Sequence, residues 1–117
     1  MKVPKTRIVA DVSGEQAVVQ FLLTHVRELG DVQKIIDEIE EIAYNYNITL
    51  VVLNFSRQKL LTSAFLGKLI TLNKSLAQAG ITLRVCCLSA QVAKAFKICR
   101  LHKIIPIFAT EDKALAG

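Results

Sequence analysis

The chain has 117 residues, 52% of them hydrophobic, and a formal net charge of +5. This length fits one domain, residues 1–117, that buries a core without disulfides or a structural metal. No stretch reaches the roughly 18 uncharged apolar residues of a membrane span, and the N-terminus lacks the apolar run and cleavage site of a secretory signal. We therefore expect a cytoplasmic protein with no membrane partner.

The three cysteines, Cys86, Cys87 and Cys99, are odd in number and lack the CxxC spacing. This pattern fits a reducing compartment and buried thiols that serve core packing. Cys86 and Cys87 are neighbours on a predicted strand, so we expect their side chains on opposite faces. A metal or redox site that includes Cys99 and His102 is disfavoured, because neither the spacing nor the number of ligands suits zinc. We predict no metal and no cofactor.

The charge is unevenly distributed along the chain. All ten acidic residues lie between Asp11 and Glu41 or at Glu111 and Asp112. The stretch from residue 42 to residue 110 therefore contains no carboxylate side chain and should carry a positive potential. An acidic protein, a phosphate group or a nucleic acid would be attracted to it. Its basic residues are Arg57, Lys59, Lys68, Lys74, Arg84, Lys94, Lys97, Arg100 and Lys103.

The first part of the chain predicts a hairpin followed by a helix. Segments Arg7–Val12 and Ala17–Leu23 have the composition of strands and are joined by a Ser-Gly-Glu turn. The segment Thr24–Gly30 is irregular. A helix capped by Asp31 is expected through about Tyr44, because apolar residues recur every three and four positions with acids on the opposite face.

The remainder of the chain alternates strands with helices. Segment Ile48–Leu53 is almost continuously apolar, as is typical of a central strand covered on both faces. A helix is expected from Ser63 to about Ala79, with Gly80 at the position that ends it. This alternation predicts an α/β fold with a mixed, largely parallel sheet and helices packed over it. The later elements are a strand Ile81–Leu88, a helix capped by Ser89 that buries Val92, Ala93, Phe96 and Cys99, a strand Ile104–Phe108 and a helical turn Thr110–Leu115.

Residues that could support catalysis form no recognisable set. The sequence has no evident pairing of a nucleophile with a base, no carboxylate pair and no glycine-rich phosphate loop. His25 and His102 are the only histidines, and the acid-free stretch offers no carboxylate to orient His102 as a general base. We therefore predict a binding protein rather than an enzyme.

Nucleic-acid binding is an alternative of a different class. Lys94, Lys97 and Arg100 would share roughly one face of a helix, with His102 and Lys103 close behind them. The aromatic residues, however, are five Phe and two Tyr, and no strand interleaves them with basic residues to form a stacking platform for bases. Nucleic-acid binding is therefore disfavoured.

The junction between the central strand and the next helix is the main functional candidate. Segment Leu50–Ser56 ends the strand, and segment Leu60–Leu69 passes through a loop into the helix. The carboxyl end of a parallel strand is where α/β folds present functional groups. Thr62 or Ser63 can cap this helix, which places the Ser63 hydroxyl near the first free backbone N–H groups.

This pattern resembles the STAS domain of bacterial anti-sigma factor antagonists. In that family a strand ending in Asp-hydrophobic-Ser leads to Asp-Ser-Ser/Ala-Gly-Leu-Gly at the start of a helix. Segments Asn54–Ser56 and Thr62–Gly67 occupy the corresponding places here. The resemblance covers about Arg7–Leu115, and it includes Gly80 before a strand and Leu101–Ile104 before the last strand.

The resemblance implies a partner switch centred on Ser63. A kinase that is also the anti-sigma factor would phosphorylate Ser63, the unphosphorylated protein would bind that kinase and free a sigma factor, and a phosphatase would reset the cycle. The fold should tolerate a phosphate at a helix N-terminus, which presents N–H groups and the positive end of the helix dipole. The predicted partner-binding residues are Arg57, Lys59, Thr62, Ser63, Ala64, Phe65 and Lys68.

A phosphorylation-silent STAS scaffold in a signalling complex is the alternative. Asn54 and Thr62 stand where the family usually has Asp, and Phe65 occupies a Gly position. In this alternative Ser63 only caps the helix. Gly67 costs about 1 kcal/mol relative to Ala inside a helix, so it indicates close backbone approach to the sheet or to a partner, or tight packing alone.

Overall fold

The computed structural model describes residues 1–23 and 29–117. Within these residues six strands form one sheet in sequential order. They are β1 (Lys2–Pro4), β2 (Ile8–Ser13), β3 (Gln16–Phe21), β4 (Leu50–Asn54), β5 (Thr82–Cys86) and β6 (Ile107–Phe108). The helices are α1 (Leu29–Asn45), α2 (Ser63–Gln78), α3 (Ala90–Ile98) and α4 (Glu111–Ala116), with a 3-10 turn at Leu101–Lys103.

The sheet is mixed, as the sequence predicts. Strands β1, β2 and β3 pair antiparallel, whereas β3, β4, β5 and β6 pair parallel. Parallel neighbours require crossover connections, and these are supplied in the described part of the chain by α1, α2 and α3. The predicted fold class is therefore confirmed.

The N-terminal part differs from the prediction in two places. Strand β1 was not expected from the sequence, yet it pairs with β2 and places Pro4 opposite Val9. Proline is tolerated there because β1 is an edge strand, where a missing N–H leaves no neighbour unpaired. Helix α1 begins at Leu29, so Asp31 lies in its first turn and is not the predicted cap. The rest of the segment predicted to be irregular, residues 24–28, lies outside the described residues.

The C-terminal elements are shorter than predicted. Strand β5 ends at Cys86, because Cys87 has a φ of 63° that interrupts the extended conformation. The predicted strand Ile104–Phe108 is reduced to β6, which the 3-10 turn precedes. Gly80 has a φ of 76°, so the predicted end of α2 is confirmed together with its left-handed glycine.

The two faces of the sheet are covered unequally. Inward side chains such as Ala10, Val19 and Val85 join the main core, to which α1, α2 and α3 contribute. On the opposite face a smaller cluster forms under α4 and consists of Leu50, Val52, Cys86 and Ala114. Strand β4 is consequently buried on both faces, as its continuous apolar sequence predicts.

The predictions for the cysteines are partly wrong. Cys86 is buried, but Cys87 is half-buried and Cys99 is exposed at the end of α3, so Cys99 does not serve core packing. The sulfur atoms of Cys86 and Cys87 lie 3.5 Å apart, because the left-handed backbone of Cys87 removes the alternation of an extended strand. No set of three or more metal-ligating side chains gathers among residues 1–23 and 29–117. No helix in the same residues is both long and apolar enough to cross a membrane.

The interpretation of Gly67 as a residue of close approach to the sheet, or of tight packing within the protein, is wrong. Gly67 is exposed, and a Cβ atom built on it would meet no other atom within 4 Å in the described part of the chain. The glycine therefore lies on the solvent side of α2, where it lowers helix propensity, and close approach of a partner to it stays a prediction.

We expect Gly67→Ala to raise the free energy of unfolding by about 0.5–1 kcal/mol. Ala reduces the conformational entropy of the unfolded chain and has a higher helix propensity than Gly. Urea denaturation with an unchanged m-value would measure the gain. Gly80→Ala, just beyond the C-terminal end of the same helix, is the control, and it should lower stability because φ is 76° there. A loss of stability in Gly67→Ala would contradict the open environment of Gly67.

Candidate functional site

The end of β4 is held in a tight turn by Asn54. Its side-chain oxygen accepts a hydrogen bond from the Ser56 N–H at 2.8 Å, which is an Asx-type turn. The Gln58 N–H donates to the Phe55 carbonyl at 2.9 Å, and the buried Gln58 side chain donates to the carbonyl of Leu23. These bonds turn the chain away from the sheet and into the loop of residues 55–62, which leads to α2.

Thr62, not Ser63, caps helix α2. Thr62 has extended dihedral angles, and its hydroxyl oxygen accepts a hydrogen bond from the Phe65 N–H at 3.2 Å. Ser63 is the first helical residue and is exposed. The cap therefore does not use the Ser63 hydroxyl, and the sequence-based choice between the two residues is resolved in favour of Thr62.

Phe65 lies beneath the junction and not on its surface. Its side chain is fully buried, with ring centroids 5.8 Å from Phe21 and 6.2 Å from Phe55. Phe55 in turn stacks on Phe21 at 5.0 Å and meets Phe96 edge-on at 6.0 Å. The prediction that Phe65 contacts a partner is wrong for its side chain, because the apolar ring anchors the start of α2 to the core.

The other predicted partner-binding residues reach solvent. Arg57, Lys59 and Ser63 are exposed, whereas Thr62, Ala64 and Lys68 are half-buried. Three of these residues lie in or at the end of the loop, and three lie in the first two turns of α2. We call this set the junction surface: Arg57, Lys59, Thr62, Ser63, Ala64 and Lys68.

Two contacts at the junction were not predicted from the sequence. The Ser89 hydroxyl donates to the Lys59 carbonyl at 3.3 Å, while its oxygen accepts from the Val92 N–H at 3.2 Å and caps α3. One side chain thus joins the loop to the next helix. The capping role of Ser89 was predicted, but no sequence signal indicates its bond to a loop 30 positions away.

The second missed contact brings a carboxylate to the end of β4. The Asn54 side-chain amide donates to Glu111 Oε2, which also accepts from the Gln20 amide at 3.5 Å. Asn54 and Glu111 are 57 positions apart, so only the packing of α4 against the sheet joins them. The stretch that lacks carboxylates in sequence therefore has one beside it in space.

The basic cluster considered for nucleic-acid binding is only partly a helix face. Lys94 and Lys97 are exposed on α3, but Arg100 lies beyond the end of the helix and has a φ of 59°. The expectation that all three side chains share one helical face is wrong, because α3 ends at Ile98.

The STAS domain family model matches residues 10–114. The chain belongs to the STAS domain family. The match begins within β2 and extends through β6, and it therefore includes both the junction surface and α4 up to Ala114. No curated protein matches the chain.

Solved structures with the same fold include anti-sigma factor antagonists. One from Mycobacterium paratuberculosis is 16% identical, has a TM-score of 0.78, and the match covers 93% of this chain and 90% of that chain. Unphosphorylated SpoIIAA, an anti-sigma factor antagonist, is 21% identical with a TM-score of 0.74, and the match covers 92% of each chain. The phosphorylated form of the Bacillus cell fate determinant SpoIIAA is 20% identical with a TM-score of 0.68, over 93% of this chain and 96% of that chain.

We expect Thr62→Ala to lower the free energy of unfolding of this STAS domain protein by about 1 kcal/mol, because the Phe65 N–H loses its cap. Ser63→Ala should change it by less than about 0.5 kcal/mol, as is usual for surface substitutions. Denaturant titration of both variants tests the assignment, and Thr62→Ser should restore stability. A larger loss in Ser63→Ala than in Thr62→Ala would reverse the assignment of the cap.

Proposed function

We propose that this STAS domain protein is an anti-sigma factor antagonist-like regulator. Its junction surface binds an anti-sigma factor that is also a serine kinase, and phosphorylation of Ser63 switches the binding off. The observation that carries the proposal is the position of Ser63, exposed at the first residue of α2 and not needed for the helix cap. Solved structures of SpoIIAA in unphosphorylated and phosphorylated forms, which share this fold, support it.

A phosphate on Ser63 would meet a favourable electrostatic environment. The first turn of an α-helix has backbone N–H groups without intrahelical partners and the positive end of the helix dipole. Arg57 and Lys59 are exposed on the preceding loop, and Lys68 is half-buried one turn further along α2. These groups would offset part of the roughly 1.5 to 2 negative charges of a phosphoserine, so the fold should persist after modification.

The partner, in contrast, would meet a changed surface. The unphosphorylated junction surface contains the basic residues Arg57, Lys59 and Lys68 and the small hydroxyl of Ser63, which suits an acidic patch on the partner. A phosphate adds charge of the opposite sign and three bulky oxygen atoms at the same place. Binding would weaken through repulsion and exclusion, and a phosphatase would restore it.

The protein therefore acts, in this proposal, as a regulator and not as an enzyme. The phosphoryl group comes from the kinase partner and leaves with the phosphatase, so this chain supplies only the acceptor serine. A regulator of sigma factor availability works where transcription occurs, which places the protein in the cytoplasm.

A phosphorylation-silent scaffold is the second candidate, and Asn54 favours it. Asn54 stands where the family usually has Asp, and its amide is engaged by Glu111 while its oxygen is engaged by the Ser56 N–H. Thr62 similarly replaces the Asp beside the serine and is engaged as the helix cap. A kinase that recognises its substrate through those two Asp side chains would therefore not recognise this protein.

We expect Ser63→Glu to weaken binding of the anti-sigma factor kinase from the source organism at least about tenfold, or about 1.4 kcal/mol, relative to Ser63→Ala. Isothermal titration calorimetry would measure the affinities, and denaturation should show similar stability for both variants. Equal affinities would contradict the switch, while leaving the junction surface open as a constitutive docking site.

We further expect that kinase to transfer phosphate from ATP to the wild-type protein and not to Ser63→Ala. Ser56→Ala is the matched control, because it removes another exposed serine hydroxyl of the same loop that lies outside the junction surface, and it should retain labelling. Intact mass and phosphosite mapping would locate the group. Labelling that persists in Ser63→Ala, or protein from native cells that binds its partner and never carries phosphoserine, would favour the scaffold.

A further inference from the structure

Two neighbouring thiols meet at the carboxyl end of β5. Cys86 is the last residue of the strand, and Cys87 follows with a φ of 63°. Their Sγ atoms lie 3.5 Å apart, whereas successive side chains of an extended strand point to opposite faces. A non-glycine residue in the left-handed region is uncommon and costs roughly 1–2 kcal/mol, so this geometry is maintained by its surroundings.

The backbone around the pair is fixed by hydrogen bonds on both sides. The Cys86 carbonyl accepts from the Phe55 N–H at 3.0 Å, and the Cys87 N–H donates to the Phe108 carbonyl at 3.2 Å. The first bond connects the pair to the end of β4, and the second connects it to the end of β6. Little conformational search is therefore needed for the two sulfur atoms to react with each other.

The two thiols differ in accessibility. Cys86 is buried against Leu50, Val52 and Ala114, and burial, followed by its contact with Cys87, raises the pKa of the Cys86 thiol to about 12. Cys86 therefore remains protonated near neutral pH and is shielded from solvent. Cys87 is half-buried, so of the two thiols it is the one that a small oxidant reaches more readily.

We propose that Cys86 and Cys87 form a peroxide-sensitive vicinal dithiol that closes to an intramolecular disulfide. The Cys87 thiolate attacks one oxygen of hydrogen peroxide, the O–O bond breaks, and the leaving oxygen departs as water after taking up a proton. Cys87 is then a sulfenic acid. The Cys86 proton then passes to the oxygen on Cys87 as the Cys86 sulfur attacks the Cys87 sulfur, the S–O bond breaks, and a second water leaves. Two thiols lose two electrons, and one peroxide becomes two waters.

Such a disulfide would be readily reversed. Adjacent Cα atoms lie about 3.8 Å apart across a trans peptide, which is shorter than the roughly 4.4–6.8 Å usual for a disulfide. The resulting strain favours reduction, so the bond would be transient and would open again when the oxidant is removed. This behaviour suits a reversible modification and not a structural cross-link.

The dithiol lies beside the junction surface but does not depend on its proposed function. The Phe55 N–H contacts the Cys86 carbonyl, and the Ser89 hydroxyl, two residues beyond Cys87, donates to the Lys59 carbonyl. Oxidation would thus occur at the base of the loop that carries Arg57 and Lys59. It requires neither a kinase nor phosphorylation of Ser63.

The test treats the reduced full-length protein and Cys99→Ser with hydrogen peroxide at low protein concentration. Denaturation, alkylation and trypsin follow, since Arg84 and Lys94 bound one peptide, Val85–Lys94, that contains both thiols. We expect this peptide to lose the mass of two hydrogen atoms and to resist alkylation in both proteins. Dithiothreitol should restore alkylation of all three cysteines in the wild type.

Cys87→Ser is the main variant. Cys87 is only half-buried and Ser is close to Cys in size, so the fold should tolerate this substitution. In it the internal loss of two hydrogens should disappear, while Cys99 remains as an exposed reference thiol. The proposal is overturned if both thiols of Val85–Lys94 remain alkylatable after Cys99 is fully oxidised. It is equally overturned if, in Cys99→Ser, oxidation yields disulfides between molecules in place of the internal one.

Discussion

Burial of β4 on both faces is the constraint on which the rest of the structure depends. Val51 and Leu53 point into the main core under the long helices, while Leu50 and Val52 lie in the smaller cluster under α4. A strand enclosed in this way offers no side chain to solvent along its length, and its parallel neighbours occupy both of its edges. Exposed functional groups can therefore appear only beyond its ends, and α/β folds present them at the carboxyl end, where the chain turns through Asn54 into the loop before α2.

The junction beyond that strand separates the residues that stabilise α2 from the surface proposed to bind a partner. The rings of Phe21, Phe55, Phe65 and Phe96 form one packed group beneath it, and each such aromatic pair contributes about 0.5–1.5 kcal/mol beyond the area it buries. Above this group Ser63 faces solvent and is not required for the cap. A change of charge at Ser63 would therefore act on what docks there far more than on whether α2 forms. This division is what a switch by covalent modification requires.

The sequence predicted those features that have a local cause. Helical periodicity and a left-handed Gly80 locate α2, and the apolar run of β4 indicates a strand buried on both sides. The features that the sequence did not predict depend on packing between distant parts of the chain or on an unexpected backbone conformation. Phe65 was predicted to contact a partner, but its ring is buried against those of Phe21 and Phe55, which come from other parts of the chain. Nothing in local composition indicates that Cys87 adopts a φ of 63°, since the hydrogen bond to Phe108 that accompanies it comes from another strand.

Glu111 shows how charge in sequence and charge in space can differ at one site. The chain carries no carboxylate between residues 42 and 110, and the strand-end position that is usually Asp in this family is the neutral Asn54. Helix α4 nevertheless places Glu111 against the Asn54 amide, and Gln20 donates to the same oxygen. Asn can satisfy two partners at once, donating to the carboxylate and accepting from the Ser56 N–H, which an ionised Asp could not do. An Asp at position 54 would also place two negative charges in contact, so the Asn and the Glu are best understood as one paired arrangement. A negative charge thus lies near the junction, and it is carried by the last helix and not by the central strand.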